Sequence, residues 1–85
     1  MPRKIRELRA ELRRAGWSIA RQTGSHQIWK HPLVPELEVN IAGSDGSDAQ
    51  RYQERDVREA IEAAVAFAKL VQHRDEYAPK QAERK

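Results

Sequence analysis

Hydrophobic periodicity changes twice along this chain, and that switching limits it to one order of elements. Ile5, Leu8, Leu12 and Ala15 recur at intervals of three and four, the spacing of one helical face. From Trp17 to Gln22 the interval becomes two, with Trp17, Ile19 and Arg21 on one side and Ser18, Ala20 and Gln22 on the other. Leu37, Val39 and Ile41 repeat that alternation against Glu38 and Asn40. A helical interval then returns in Val57, Ile61, Ala64, Val65, Ala68 and Val71. A pattern of period 2 leaves no continuous apolar face on a helix, and one of period 3.6 leaves none on a strand.

The punctuation agrees with these boundaries. Pro2 suits a first helical turn, and Gly16 suits the left-handed position just past a helix end, which predicts a helix over residues 3–15. Thr23-Gly24-Ser25 is turn chemistry between a strand at 17–22 and another at 26–31, the latter rich in Ile28 and Trp29. Pro32 ends that second strand by removing a ladder donor, and Pro35 closes the connection to a third strand at 36–41. Residues 42–48 hold Gly, Ser and Asp and read as an exposed loop, with Asp48 the N-cap candidate for a helix opening at 49 or 53 and running to 73. The fold class that follows is α+β, in the order α-β-β-β-α. A three-stranded antiparallel sheet would carry both helices on one face, within a single domain spanning 1–73. Residues 74–85 lack apolar periodicity and contain Pro79, so the expectation there is a frayed or disordered tail.

Eighty-five residues bury only about 60% of their unfolded surface, so the core is thin and each element in it matters. The absence of cysteine excludes disulfides, thiolate metal sites and a cysteine nucleophile. No apolar run approaches the roughly 18 residues of a membrane span, and no signal-peptide pattern opens the sequence, so the expected location is cytoplasmic. Charge is unevenly spread. Residues 1–31 hold eight Lys and Arg against Glu7 and Glu11, whereas residues 32–53 hold Glu36, Glu38, Asp45 and Asp48 against Arg51. A basic half suits a polyanion such as nucleic acid. It equally suits a solvated helix face that keeps a small protein soluble.

The residues able to carry chemistry cluster at the turn. His26 follows Gly24-Ser25 at the mouth of a strand, where an imidazole can take or give a proton near neutral pH. RNA cleavage by internal attack needs such a group, and its nucleophile is the substrate's own 2′-hydroxyl. Lys30 shares the strand parity of His26 and can neutralise phosphate, while Ser25 and the Gly24 backbone offer hydrogen bonds to one. Left to itself, the motif also fits a strand-end histidine with an ordinary hydrogen bond. His31 has the opposite parity and stands beside Pro32, which suits a turn-side hydrogen bond; His73 suits the C-terminal dipole of the second helix. No HxH or HxxxH spacing appears, so no metal site and no cofactor is expected. Trp17 and Trp29 read as core rather than as base-stacking platforms.

These residues resemble a known family. Ile5-Arg6-Glu7-Leu8, Leu12 and Ala15-Gly16-Trp17, followed by Arg21-Gln22-Thr23-Gly24-Ser25-His26-Gln27-Ile28-Trp29-Lys30-His31-Pro32, look like the HicA toxins of bacterial toxin–antitoxin systems. The resemblance implies a double-stranded-RNA-binding-like fold and an mRNA interferase whose histidine in the G-S-H motif acts in cleavage. It also implies a HicB-like antitoxin partner that covers the toxin. Carried over by position, His26 becomes the catalytic residue and Gly24, Ser25, Lys30 and Arg21 become RNA-contact residues. Two alternatives stand beside it. One is a catalytically silent RNA- or protein-binding module of the same fold. The other is a small adaptor that dimerises through Val57, Ile61, Ala64, Val65 and Ala68.

Overall fold

The computed structural model describes the backbone of residues 2–83 and the side chains through Gln72. Its elements are α1 (Ile5–Arg14), β1 (Ser18–Thr23), β2 (His26–Lys30), β3 (Val39–Ile41) and α2 (Arg51–Glu83), in the expected α-β-β-β-α order. The strands form one antiparallel sheet in the order β1-β2-β3, and this is an α+β fold.

Local chemistry explains the start of α1. Lys4 stands at the N-cap and its N–H donates to the Glu7 carboxylate at 2.8 Å. The next two orphan donors turn to the loop after β3: Ile5 N–H bonds Ser47 O at 2.9 Å and Arg6 N–H bonds Asp45 O at 3.1 Å. That loop therefore caps α1 across the fold, held further by Ala49 N–H donating to Arg3 O at 2.7 Å. Asp48 does not cap α2; its carboxylate takes Lys4 Nζ at 2.6 Å instead. Gln50 precedes α2, and its N–H donates to Gln53 Oε1 at 2.8 Å, the return arm of a capping box.

Both helices cover the sheet face that carries Trp29, Val39 and Ile41. Ile5, Leu8 and Leu12 from α1 and Val57, Ala60 and Ala64 from α2 close the core there, with Trp17 and Val34 at its edge. Both tryptophans are core residues, and Trp29 Nε1–H finds Gln27 Oε1 at 3.1 Å. The expected stripe on α2 is buried at Val57 and Ala64 and thins beyond them, with Ala68 and Val71 only half-buried. Val65 is half exposed, as are Phe67 and Leu70, because a helix rising about 1.5 Å per residue overruns the small sheet beneath it. Of the five residues in the adaptor reading's dimerising face, Val57 and Ala64 are buried in the core, Ile61 and Ala68 are half-buried and Val65 is exposed. The element α2 runs on past the expected end at 73 and through Pro79 to Glu83, where the sequence predicts a frayed or disordered tail; the side chains from His73 onward and residues 84–85 lie outside the described residues.

Two sequence motifs turn out to be one contact. Gly16 adopts φ +92°, and His31 packs against it and against Trp17, whose ring it meets edge-on at 5.4 Å. His31 Nδ1 accepts Leu33 N–H at 3.1 Å, the turn-side bond expected of it. A methyl group at residue 16 would lie 2.9 Å from His31 Nε2. Gly16→Ala combines that clash with the left-handed penalty, a loss of about 2 kcal/mol. Thermal denaturation should show a melting point lower by roughly 8–16 °C.

Candidate active site

Hairpin geometry sets where His26 points. Thr23 pairs with His26, leaving Gly24 and Ser25 as a two-residue loop. Gly24 has φ +59° and Ser25 does not have a positive φ, the pattern of a type II′ turn, which accepts glycine first. His26 is exposed, and its Nε2 lies 3.4 Å from Oδ1 of Asn40, a diagonal neighbour on β3. With Nε2 protonated toward Asn40, Nδ1 is left free to accept a proton.

The open sheet face, opposite the helices, carries His26, Ile28 and Lys30 by strand parity. Strict alternation would place Arg21 with Trp17 and Ile19 on the helix side. It does not, because Ala20 is an extra residue between the Ile19–Trp29 and Arg21–Ile28 pairs. One bulged residue flips everything after it, so Arg21 joins His26 on the open face. Arg21, Thr23, His26 and Ile28 line a hollow of about 260 Å³ there. Glu38 spans the two cations of this face, 3.5 Å from Arg21 Nη2 and 3.7 Å from Lys30 Nζ. Such exposed pairs are worth roughly 0–1 kcal/mol, so an arriving phosphate can take either cation from it.

Ser25 leaves this face. Its carbonyl and hydroxyl turn toward the helices, where Oγ accepts Gly43 N–H at 3.3 Å and the carbonyl accepts Arg9 Nη2 at 2.9 Å. The rest of the Arg9 fork binds Gly43 O at 3.0 Å and Asp45 Oδ1 at 2.6 Å. Arg9 is 7% exposed, a buried clamp joining α1, the hairpin tip and the loop after β3. The sequence reading counted it only as part of the basic half. A signal was present, since Ile5, Leu8, Arg9 and Leu12 follow the i, i+3, i+4, i+7 pattern of the buried stripe. Asn40 was likewise read only as a polar strand position.

The clamp also accounts for the acidic segment. Asp45 is held by Arg9 and Asp48 by Lys4, so both carboxylates are neutralised within the fold. Of the expected site residues, His26, Arg21 and Lys30 share the open face. Gly24 shapes the turn in open space, and Ser25 faces the other way. Among the described residues no three of His, Cys, Asp and Glu gather as metal ligands would, and no helix is long and apolar enough to cross a membrane. The arrangement presents a proton carrier at a solvent-open rim with cations beside it.

Comparison with known families gives a match over residues 5–64 to the model described as HicA toxin of bacterial toxin–antitoxin systems. That span includes the hairpin, both clamped loops and the buried part of α2. No curated protein and no solved structure matches the chain significantly.

Proposed function

The chain belongs to the HicA toxin family of bacterial toxin–antitoxin systems, and from that premise we propose that it is an endoribonuclease acting on mRNA in the cytoplasm through His26. The nucleophile is the 2′-hydroxyl of the substrate, so the chemistry requires neither a metal nor a cofactor. His26 takes the 2′-hydroxyl proton as the 2′-oxygen bonds to phosphorus. The P–O5′ bond then breaks, and the imidazolium returns that proton to the leaving 5′-oxygen. The products are a 2′,3′-cyclic phosphate and a free 5′-hydroxyl. Arg21 and Lys30 neutralise phosphate on the same face, and the Gly24 turn leaves the approach to the ring open. The observation that carries this reading is an exposed His26 at the hairpin tip with one ring nitrogen on Asn40 and the other unoccupied.

A HicB-like protein is the proposed partner, covering this face and silencing it. The α-β-β-β-α order supports placing the fold with double-stranded-RNA-binding-like domains.

End-group analysis tests the proposal. Single-stranded RNA incubated with the purified chain in the presence of EDTA should yield fragments ending in 2′,3′-cyclic phosphate, and a 2′-deoxy sugar at the scissile position should block cutting there. Fragments with 3′-hydroxyl and 5′-phosphate ends would overturn the mechanism. Salt-sensitive RNA binding with no cleavage would assign the chain to the catalytically silent alternative.

A further inference from the structure

A second polar cleft lies on the other side of the hairpin tip from His26. It occupies about 320 Å³ between α1, the β1–β2 turn and the loop after β3, and Arg6, Arg9, Arg13, Gln22, Ser25 and Gln27 contribute to its walls. Asp45 is the one carboxylate in the lining, and Arg9 already holds it at 2.6 Å. Among the described residues Arg6 and Arg13 pair with no acid, so the cleft has two positive charges in excess.

Its uncharged groups are donors as well. Gln27 is 8% exposed and spends its Oε1 on Trp29, which leaves the Nε2 amide to donate. Ser25 Oγ accepts from Gly43, which leaves its hydroxyl hydrogen free. Arg9 Nε is buried and without a partner. Arg13 is steadied by the Trp29 ring, with its guanidinium carbon 5.3 Å from the ring centre. Gln22 donates through Nε2 to Gly24 O, which leaves its Oε1 a free acceptor. Donors still outnumber acceptors, and a donor-rich lining with a twofold positive excess fits a phosphate group.

From this we infer that the Arg6–Arg13–Gln27–Ser25 cleft is a phosphate-anchoring subsite for the RNA chain, separate from the scissile phosphate. Ser25 and His26 are adjacent residues on opposite sides of one turn. An RNA strand crossing that turn leaves one phosphate in the cleft and presents another to His26. The cleft sets the register, and His26 cuts at a fixed step from it. The register half of this inference rests on the ribonuclease reading; phosphate binding does not.

The test separates the two. Inorganic phosphate titrated into the full chain should shift the backbone amides of Ser25, Gln27 and Gly43 and the Gln27 side-chain amide saturably. Those shifts should be lost in the Arg6→Gln/Arg13→Gln chain, which still holds Arg21 and Lys30 on the open face. With chemistry removed by His26→Ala, adding Arg6→Gln and Arg13→Gln should weaken binding of single-stranded RNA by about tenfold or more and lower its salt slope by roughly 1 to 1.5. Arg14→Gln, outside the cleft, should leave both unchanged. Absence of a saturable shift at Ser25 and Gln27, or an unaltered salt slope in the Arg6/Arg13 variant, would overturn the subsite whether or not the chain cuts RNA. Loss of affinity for an acidic partner protein with RNA affinity unchanged would also overturn it. Failure of the wild-type chain to cut RNA, with the phosphate shifts intact, would instead sink the ribonuclease reading and keep the subsite.

Discussion

Replacing His26 by alanine is expected to lower RNA cleavage by about 10²–10⁴-fold, the range that a positioned proton carrier contributes. The fold should survive, because the side chain is exposed and its hydrogen bond to Asn40 is long, at 3.4 Å. Binding of single-stranded RNA should change little, since the proposed phosphate contacts come from Arg21, Lys30 and the cleft beyond the turn. The effect thus falls on turnover and not on affinity. Induced expression of the wild-type and His26→Ala chains side by side, scored for growth and mRNA integrity, reads it directly. Equal growth arrest and equal mRNA loss in both would remove His26 from the mechanism. Asn40→Ala gives a graded companion result. It leaves the imidazole in place but unoriented, and cleavage should drop by less than in His26→Ala.

Arg9→Met is expected to cost about 3 kcal/mol, the largest stability loss from any change at the site, and to lower the melting point by roughly 12–24 °C. Methionine replaces most of the buried volume, so packing is largely kept. What disappears is one guanidinium that binds Ser25 O, Gly43 O and Asp45 Oδ1 at once. Two carbonyls then lose a charged donor in a partly buried setting. Asp45 suffers less, because its side chain is 68% exposed and water can replace the arginine. The asymmetry is itself a prediction: Asp45→Asn should cost no more than about 1 kcal/mol. Arg9→Lys should recover only part of the loss, since one ammonium cannot span three acceptors as a planar fork does. Arg9 is a positioning residue as well, because it holds the turn that precedes His26. At a temperature where Arg9→Met is still folded, kcat should fall because the turn before His26 is loosened, and RNA affinity should fall as well because Asp45 then stands unpaired in the cleft. A purely structural role would leave kcat of the folded fraction untouched.

Arg9 and Arg21 show where sequence reasoning stops. Arg9 looks like its neighbours Arg6 and Arg13 on composition, and only its place at i+4 of the apolar stripe hints that it points inward. What makes burial tolerable is a trio of acceptors from residues 25, 43 and 45, which no local pattern brings together. Arg21 was counted as an RNA contact by position, although strict alternation put it on the helix side. The bulge at Ala20 reconciles the two, and a bulge has no reliable signal in a six-residue strand. Asp48 carried a good N-cap signature, yet Lys4 was a nearer and oppositely charged partner once the loop folded against α1. The long reach of the apolar stripe on α2 thinned beyond Ala64 for a similar reason. Periodicity says which face is apolar, and the extent of the sheet says how much of it is covered.

The order of elements, the hairpin turn at Gly24 and the position of His26 at its mouth were all determined by local sequence. They depend on backbone freedom, periodicity and side-chain chemistry within a few residues, and those forces act before any distant contact forms. Family membership follows from the same stretch of chain. Tertiary structure alone decided which arginines are free to meet a phosphate, which carboxylates are already neutralised, and that Ser25 and His26 serve opposite sides of one turn. Those outcomes depend on the energies of pairs far apart in sequence. A buried guanidinium persists only where three acceptors converge on it, and only the folded chain supplies them.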